Sequence, residues 1–518
     1  MRLLFNTTGP CYPDEHYMIP PERRLGRVMK LIGDRKYFTL HAGRQTGKST
    51  CIQWLEKYLN ELGRVRAICV DIEAAGGTLD AAQAIHRIFD SFQKLPESAF
   101  PKAMRPDDAI VDKWLQNPAT ALLHYLRYLA AGESLPLVLL LDNADELSGK
   151  AMASFLTQIR QGYIERHSVP FPSSIALVGM QRVGDSLLYA DPRNRSSQSG
   201  TMWSFNVTAE AMTLEPFTEA EVEELLLQHT TATGQKFEPA AIRYIYELGQ
   251  GHPWLTNALA DQITNNDVED RSIAVTAAHV EAAKETIILE RRSHIDSLVA
   301  KLREDRVRRV IDPMLAGDQA GNDVLHDDFA YVLGLGLIRK VGGHYQIANG
   351  VYREVIPRAL NYDRQMQIWN EPAWYVQKDG LLDMGKLMTD WQDFWREDGH
   401  LAAEGFGYKE SGPHLMLMAF LQRVVNGGGR IQREYGLGRG ALDVLVEWKD
   451  ARYAIEVKIR RNKSTEARAI EQLSGYLDKL HLTHGWLVLF DMRKVKWEKK
   501  LYQRDVEYEG KTIRIVGG

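Results

Sequence analysis

The sequence predicts a multidomain α/β protein, and three observations support that prediction. A glycine-rich loop at residues 42–50 stands between an apolar strand pattern and a helical pattern that ends near Leu59. Short apolar runs then alternate with helical patterns as far as residue 180, which is typical of a buried parallel sheet. A separate group of strand patterns follows residue 430. The length of 518 residues, with 44% hydrophobic and 25% charged side chains, suits three or four ordinary domains.

Composition and charge exclude several classes of protein. No apolar run approaches the roughly 20 residues that a membrane-spanning helix needs, and the N-terminus lacks the charged-then-apolar pattern of a signal peptide, so we expect a cytoplasmic protein. Cys11, Cys51 and Cys69 are an odd number without metal-ligand spacing, which supports neither disulfides nor zinc. The net charge is −4, but residues 430–518 hold 19 Lys and Arg against 13 Asp and Glu. The net charge argues against a chain that coats nucleic acid, and a nucleic-acid surface, if present, is expected in this C-terminal part.

The glycine-rich loop, AGRQTGKST, has the spacing of a phosphate-binding loop, or P-loop. Its two glycines let backbone N–H groups curl around a polyphosphate at the N-terminus of the next helix. Lys48 is expected to reach the β- and γ-phosphates, and the Ser49 hydroxyl to bind Mg²⁺. ATP and Mg²⁺ are therefore the predicted cofactors, and the predicted nucleotide-binding residues are Ala42, Gly43, Arg44, Gln45, Thr46, Gly47, Lys48, Ser49, Thr50 and Asp142. The alternative is a chance Gly-Lys-Ser in a turn.

The apolar strand at residues 137–141 ends in Asp142, where a carboxylate beside the P-loop can hold Mg²⁺. Most ATPases with such a loop place a glutamate immediately after this aspartate to polarise the attacking water. This chain has Asn143 there, an amide that can orient water but cannot take its proton. Asp145 and Glu146 are candidates to replace the missing carboxylate, and they could equally form a solvated N-cap of the next helix. Nucleotide binding is therefore expected, and hydrolysis stays open.

Three further segments offer candidates for the nucleotide site. Tyr17 and Arg23, which precede the first helix, could cover the adenine or form a structural turn. Gln181 or Arg182, at the end of a strand pattern, could touch the γ-phosphate. A capping box at Thr218 predicts the start of a small helical lid, which includes the turn GQGHPWL.

Residues 327–358 have the order helix, strand, turn and strand, which is the pattern of a winged helix. Such a module can enter the DNA major groove or serve as a packing piece. The nearby sequence also contains a basic group: Arg303, Arg306, Arg308 and Arg309. A solvated helix face is a better explanation of this group than DNA binding. Trp391 and Trp395, at i, i+4 spacing in a helical connector, are expected in a buried core.

The C-terminal strand patterns carry a second set of chemically active residues. Residues 442–446 and 453–458 are predicted strands of a hairpin, with Asp443 on the first and Glu456 and Lys458 on the second. Because side chains alternate along a strand, Glu456 and Lys458 face the same side. Two carboxylates can hold Mg²⁺, which lowers the pKa of bound water, and a lysine can offset developing charge. The alternative is a salt-bridged hairpin that only binds DNA or protein.

The C-terminal order of helix, hairpin, helix and strand resembles the PD-(D/E)XK nuclease superfamily. The residues matching its motif are the two hairpin carboxylates and Lys458, and its flanking helix positions correspond to Glu410 and Gln472; Leu442 stands where the superfamily name has proline. The acidic motif after the third apolar strand and the Gly-His-Pro turn are similar to motifs of signal-transduction ATPases. The predicted catalytic residues are thus Asp443, Glu456, Lys458, Glu410, Gln472 and Asp145, and the predicted metal ligands are Ser49, Asp142, Asp443 and Glu456.

Nearly the whole chain resembles prokaryotic AAA-like ATPases fused to a C-terminal PD-(D/E)XK nuclease domain. The most characteristic pieces are FNTTGPCYPDEHYMIPPERRL, HAGRQTGKST, GQGHPWLTNALA and MAFLQRVVNGGGRIQREYGLGRG. Members more often have Asp-Glu-x-Asp at the second acidic motif and an Arg-Asp pair in place of Gln181-Arg182, and both departures lie at the hydrolytic centre. The resemblance implies a P-loop NTPase α/β sandwich with a helical lid, a winged helix and a C-terminal nuclease-like α/β domain.

These patterns divide the chain into five predicted domains: an ATPase core (1–215), a helical lid (216–290), a winged helix (291–365), a helical connector (366–404) and a nuclease-like domain (405–518). The resemblance implies an ATP-gated, Mg²⁺-dependent nuclease that hydrolyses DNA phosphodiester bonds, in genome defence or mobile-element biology. Expected partners are nucleic acid, DNA rather than RNA, and further copies of the chain, with no membrane. The alternative is a non-cleaving ATP-dependent switch that binds DNA or a protein partner.

Overall fold

The structure is a computed structural model, and its described residues are 3–180, 208–315, 327–360, 375–396 and 413–518, without residues 79, 378, 415, 419, 422–428, 438–439, 461–463 and 492–498. The chain divides into two compact units. The first comprises Met1–Asp296, Leu325–Arg339 and Ala348–Val351, and the second comprises Ser297–Val324, Lys340–Ile347 and Tyr352–Gly518. Within the described ranges, no helix has the length and apolar character needed to span a bilayer.

The first unit contains a five-stranded parallel sheet. Its strands are β1 (Tyr37–His41), β2 (Arg66–Asp71), β3 (Leu137–Asp142), β4 (Ser174–Gly179) and β5 (Thr208–Thr213). The order across the sheet is β2-β3-β4-β1-β5, with every neighbouring pair parallel. The carboxyl ends of the strands therefore meet at one edge, which is where ligands bind in such sheets.

Successive side chains of a strand point to opposite faces of the sheet, and in these strands the side chains on both faces are largely apolar. Helices therefore cover both faces. One face packs against α1 (Glu22–Gly33) and α2 (Lys48–Leu62). The other packs against α3 (Ala81–Gln93), α5 (Pro118–Gly132) and α6 (Gly149–Glu165), with α4 (Asp108–Leu115) lying against α5. The predicted α/β sandwich is confirmed.

The segment predicted as a helical lid contains four α-helices, and its assignment to a lid stays a prediction. They are α7 (Glu219–Thr233), α8 (Pro239–Gly249), α9 (Pro253–Gln262) and α10 (Ala277–Leu289). The predicted capping box is present, because Thr218 Oγ1 accepts a hydrogen bond from Glu221 N–H (3.2 Å) while the Glu221 carboxylate accepts one from Thr218 N–H (2.8 Å). Proline at the first turn begins both α8 and α9.

The middle of the chain contains α11 (Ser293–Lys301), α12 (Asp305–Leu315), α13 (Asp327–Gly334), β6 (Ile338–Val341), β7 (His344–Ile347) and α14 (Gly350–Leu360). The two strands form a two-stranded sheet. The predicted order of helix, strand, turn and strand is thus present, and its assignment to a winged helix stays a prediction.

The second unit contains a six-stranded mixed sheet. Its described elements are α15 (Met384–Phe394), β8 (Gly429–Leu437), β9 (Gly440–Trp448), β10 (Ala451–Ile459), α16 (Thr465–Leu480), β11 (His484–Phe490), β12 (Gln503–Tyr508) and β13 (Lys511–Gly517). The strand order is β12-β13-β11-β10-β9-β8. Strands β8, β9 and β10 form an antiparallel meander, and β11 runs parallel to β10.

Each face of this sheet has its own apolar core. Helix α16 packs on one face, and α15 packs on the other together with helical residues between 413 and 421. Trp391 and Trp395 are buried in the second of these cores with ring centroids 5.6 Å apart, which confirms the prediction that they are core residues.

Candidate functional site

The P-loop follows β1 directly and leads into α2. Gly47 is the N-cap of α2 and has a φ of 85°, a left-handed conformation that glycine adopts without strain. Thr46 Oγ1 donates a hydrogen bond to the Gly43 carbonyl (2.8 Å), and Ala42 N–H donates to the Gly179 carbonyl at the end of β4 (3.2 Å). The loop therefore lies against the neighbouring strand and presents the N-terminus of α2, where anions are favoured.

Lys48 lies inside the loop with only 8% of its surface exposed. Its Nζ atom is 2.9 Å from the carbonyl oxygens of both Ala42 and Gly43. Burial lowers the pKa of Lys48 to about 8, although Asp142 and Asp145 oppose that shift. Because an anion restores the charged form of a buried ammonium group, this environment suits a polyphosphate.

Ser49 and Asp142 are brought together across the crevice. Ser49 Oγ donates a hydrogen bond of 2.8 Å to Asp142 Oδ2, and Asp142 is 5% exposed at the end of β3. Burial raises the pKa of Asp142, while the hydrogen bond from Ser49 lowers it. A hydroxyl and a carboxylate are oxygen ligands of the kind that Mg²⁺ prefers, so these two residues would hold the ion, which when bound neutralises phosphate charge.

Asn143 occupies the position where a catalytic glutamate is more usual. Its backbone is left-handed, with a φ of 57°, and its Nδ2 donates a hydrogen bond of 3.0 Å to Asp71 Oδ1. Asp71 ends β2 and pairs in register with Asp142 of β3. The amide is thus directed toward the neighbouring strand, where it meets a carboxylate.

Asp145 packs against β4. Its Oδ2 accepts a hydrogen bond from Met180 N–H (2.9 Å), and a Cβ atom added at Gly179 would overlap its Oδ1. The alternative prediction of an N-cap is wrong, because Asp145 and Glu146 lie in a 3₁₀ turn (Ala144–Glu146) and the N-cap residue of α6 is Ser148. The catalytic role of Asp145 stays a prediction.

The two residues suggested for adenine make contacts within the protein. Tyr17 is buried, with its ring centroid 4.8 Å from that of Phe5. Arg23 forms an exposed ion pair of 2.6 Å with Glu224 of α7. Both contacts are structural, in agreement with the alternative of a structural turn. Gln181 and Arg182 lie outside the described residues.

A pocket of about 310 Å³ borders the P-loop helix. Cys11 and Thr50 both line it and are joined by a hydrogen bond from Cys11 N–H to Thr50 Oγ1 (3.0 Å). Its wall also includes Tyr12, Met18 and Trp54. Thr50, which lines this pocket, directly follows the predicted Mg²⁺ ligand Ser49 in the sequence.

Three residues near the P-loop are absent from the sequence predictions: Asp71, Arg24 and His252. The two terminal nitrogens of Arg24 each donate to the Thr46 carbonyl at 3.1 Å. His252 makes a hydrogen bond with the backbone of Arg44, and burial lowers its pKa to about 4. Of the three, His252 had a sequence signal, because it lies in the GQGHPWL turn.

The second site lies on the hairpin formed by β9 and β10. Lys458 Nζ lies 3.1 Å from Asp443 Oδ2 and 2.5 Å from Glu456 Oε1. Val457 N–H donates a hydrogen bond of 2.8 Å to Asp443 Oδ2, which fixes that carboxylate against β10. The structure therefore brings together the three residues predicted from the hairpin, and it confirms that Glu456 and Lys458 share a side.

The electrostatics of this cluster come from the depth of Glu456, which is 0% exposed. Burial raises the pKa of Glu456, the Asp443 carboxylate raises it further, and Lys458 opposes both effects. Burial lowers the pKa of Lys458, but Asp443 and Glu456 raise it by more, so the net change favours the ammonium form. A cation near the carboxylates would favour ionised Glu456, and Asp443 and Glu456 would hold Mg²⁺.

Of the two flanking positions, only Gln472 is among the described residues. Glu410 lies outside them. Gln472 is exposed on α16, and its Nε2 donates a hydrogen bond of 3.0 Å to the Tyr476 hydroxyl. Among the residues that the structure describes, no group of three or more His, Cys, Asp or Glu side chains is arranged to hold a metal ion.

Comparisons with known proteins agree with the geometry of the N-terminal site. Residues 32–187 match the family model described as AAA domain. No curated protein matches the chain. Similar solved structures include the Walker-type ATPase PABY2304 of Pyrococcus abyssi, with 17% identity and a TM-score of 0.48 over 68% of this chain and 99% of that one.

Two further structures are less similar. Orc1 of Aeropyrum pernix in complex with DNA has 14% identity and a TM-score of 0.35, covering 67% of this chain and 94% of that one. The RuvB Holliday junction branch migration motor of Thermotoga maritima has 13% identity and a TM-score of 0.33, covering 65% and 93%. On the family match and the P-loop geometry, this chain contains an AAA-type P-loop ATPase domain.

Proposed function

We propose that this protein is an ATP-gated, Mg²⁺-dependent nuclease that hydrolyses phosphodiester bonds of DNA. The observation that carries the proposal is the cluster of Asp443, Glu456 and Lys458, in which one ammonium group lies within 3.1 Å of two carboxylates. In the reaction, one water adds across a phosphorus–oxygen ester bond and leaves a phosphomonoester and a hydroxyl group.

The side chains of the cluster suit this chemistry. Asp443 and Glu456 would hold Mg²⁺, which when bound lowers the pKa of water and offsets phosphate charge. Lys458 carries its proton at neutral pH, since its pKa is raised overall, and it can therefore donate a hydrogen bond to a phosphate oxygen or to water. The Lys458 side chain is 30% exposed, so part of it faces solvent.

The arrangement of strands supports the same proposal. The meander β8–β10 is followed by α16 and by β11, which pairs in parallel with β10. This is the order that the resemblance to PD-(D/E)XK nucleases implies. The excess of Lys and Arg over Asp and Glu in residues 430–518 favours a polyanionic substrate.

One observation favours the alternative, a switch that binds ATP without cutting DNA. Asn143 replaces a carboxylate, and its amide is hydrogen-bonded to Asp71. Slow or absent ATP hydrolysis would let the bound nucleotide act as a lasting signal. Such a protein would show nucleotide-dependent binding to DNA or to a protein partner.

The test is cleavage of supercoiled plasmid, linear duplex DNA, single-stranded DNA and RNA, with Mg²⁺ or with EDTA, and with or without ATP. Glu456→Gln removes the buried charge and keeps the shape of the side chain. The matched control is Glu447→Gln, on β9 of the same hairpin, where Glu447 contacts Arg452 (3.5 Å). We expect Mg²⁺-dependent cutting by the wild type and by Glu447→Gln, and none by Glu456→Gln.

Equal cutting by all three proteins would assign the activity to a contaminant or to another site. No cutting of any substrate by the wild type, together with nucleotide-dependent DNA binding, would favour the switch. Gating is tested with Lys48→Ala, since a gated nuclease should lose the effect of ATP on cutting in that variant.

A further inference from the structure

The guanidinium group of Arg24 contacts the P-loop at the Thr46 carbonyl. Both of its terminal nitrogens donate to the Thr46 carbonyl, and its Nε donates to the Glu215 carbonyl at 3.0 Å. The group also lies 5.1 Å from the ring centroid of Phe217. Arg24 belongs to α1, whereas Glu215 and Phe217 follow β5 and immediately precede the lid helix α7. One side chain therefore connects the first helix, the P-loop and the entrance to the lid.

His252 makes a second side-chain contact with the P-loop. Its Nδ1 accepts a hydrogen bond from Leu255 N–H (3.4 Å), so the neutral imidazole carries its proton on Nε2. The hydrogen bond with the backbone of Arg44 is therefore donated to the Arg44 carbonyl. The preceding residue, Gly251, accepts a hydrogen bond from Phe217 N–H (2.8 Å), so the two contacts with the P-loop meet at the start of the lid.

The two carbonyls that Arg24 and His252 contact fix the directions of the N–H groups that follow them in the P-loop. In a trans peptide, the C=O and the next N–H point in opposite directions. If Arg24 holds the Thr46 carbonyl outward, then the N–H of Gly47 points inward. In the same way, His252 on the Arg44 carbonyl directs the N–H of Gln45 inward. These N–H groups belong to the loop that would surround a polyphosphate.

We propose that Arg24 is a positioning residue for the nucleotide phosphates, which aims the P-loop N–H groups inward and, with His252, couples the loop to the lid. This inference rests on the proposed binding of ATP and is independent of the nuclease. The contact with Gly251 explains why the turn needs glycine there, since a Cβ atom would overlap the Phe217 carbonyl and the φ is 73°.

The experiment compares Arg24→Gln with Arg27→Gln in the full chain. Arg27 lies one turn further along α1 and pairs on the surface with Glu210 of β5, so it is a matched control. Two quantities are measured: the Kd for methylanthraniloyl-ATP, and hydrogen–deuterium exchange of the amides of residues 43–47 without nucleotide. We expect Arg24→Gln to weaken binding by about 10- to 100-fold and to speed exchange in the loop, and Arg27→Gln to change neither.

Exchange within β1 is the internal reference, because a general loss of structure would raise it as well. If Arg24→Gln does not fold, Arg24→Lys keeps the charge but lacks the planar fork, and the same two measurements decide. Guanidinium ions added to Arg24→Ala should restore binding in part, which a purely structural loss would not allow. The proposal would be overturned if the Arg24 variants had the same loop exchange and the same nucleotide affinity as the wild type. If the wild type binds no nucleotide, the gating proposal fails, and loop exchange still decides the role of Arg24.

Discussion

At the N-terminal site the contacts to a ligand would be made largely by the main chain, whereas at the C-terminal site three side chains provide them. The P-loop is one continuous stretch, closed by hydrogen bonds among its own residues and to β4. The cluster of Asp443, Glu456 and Lys458 joins two strands of a hairpin and depends on their register. A loop of fixed spacing can be matched by a family model, and residues 32–187 are so matched. Three side chains on a hairpin form a sequence pattern with far fewer fixed positions than the P-loop.

Each site has a deeply buried ionisable group, Lys48 at the first and Glu456 at the second, and the two groups have opposite signs. Lys48 is 8% exposed and Glu456 is 0% exposed. Burial lowers the pKa of the first and raises the pKa of the second, so each is shifted toward its neutral form. A ligand of opposite charge reverses either shift. These two shifts therefore fit the proposed anion at the first site and the proposed cation at the second.

Removing either of the two lysines, Lys48 or Lys458, should give the largest effects. Lys48→Ala removes the buried ammonium of the P-loop, and we expect ATP affinity to fall by about 1,000-fold. Lys458→Ala should reduce DNA cutting by a similar factor and leave ATP affinity unchanged. Both quantities are measured for both variants, with Lys57→Ala as a control, since Lys57 is exposed on α2. Loss of ATP affinity in Lys458→Ala would show that the two sites are not chemically separate, whereas loss of cutting in Lys48→Ala agrees with gating by ATP.

Acidification should affect the two units in opposite directions. Burial lowers the pKa of His252 from 6.5 to about 4. Between pH 6.5 and 4, His252 is therefore protonated in the unfolded chain and neutral in the folded unit. The first unit therefore loses stability as the pH falls from about 6.5 to 4, by at most about 3 kcal/mol from this group. The ring centroid of His294 lies 4.7 Å from that of His252, and burial lowers the pKa of His294 as well. The facing charges of Arg24 and Lys48 lower the pKa of His252 further.

Glu456 behaves in the opposite way. Its pKa in the folded chain is raised above the ordinary 4.5, so its contribution to stability is fully present below that value and is lost as the pH rises. Hydrogen exchange of β1 and β11 reports each unit separately, which a single melting temperature would not do. His252→Gln should flatten the dependence of β1, and Glu456→Gln that of β11. Identical pH profiles for the two strands in the wild type would contradict the assignment.

Restoring a carboxylate beside Asp142 should sharpen the difference between binding and hydrolysis at the first site. Asn143→Glu supplies a group that can accept the proton of an attacking water, and we expect ATP turnover to rise by about 10- to 100-fold. Asn143→Gln is the control of equal size that cannot accept the proton. Turnover is measured by phosphate release at saturating ATP. If both variants were as slow as the wild type, the missing carboxylate at position 143 would not be what limits ATP turnover.

The parts that sequence analysis predicted are those whose contacts are local. The P-loop, the strand that ends in Asp142 and the shared side of Glu456 and Lys458 follow from spacing and alternation alone. Strand β5 was not predicted. Strands β12 and β13 were also missed, because the first of them, QRDVEY, is rich in polar and charged residues and lacks an apolar run. The core positions of Trp391 and Trp395 followed from helical spacing.

The parts that could not be predicted depend on long-range packing. Asp71 and Asn143 are 72 positions apart, and Arg24 and Glu215 are 191 apart. Nothing in a doublet of arginines shows that Arg24 turns inward while Arg23 pairs with Glu224 on the surface. Only the packing of α1 against the P-loop separates the two.

The smallest effect is expected at the entrance to the lid, where it tests whether the first site depends on its surroundings more than the second does. Thr218→Ala removes one half of the capping box with Glu221 at the start of α7. The helix should lose about 1 kcal/mol of local stability, measured by hydrogen exchange of α7. Because Thr218 directly follows Phe217, which packs against Arg24, ATP affinity should fall slightly, by about two- to fivefold. Thr276→Ala, which removes the capping box of α10, is the matched control and should leave ATP affinity unchanged. Equal effects of the two variants on affinity would show that general lid stability matters and that the contact at Phe217 has no special role.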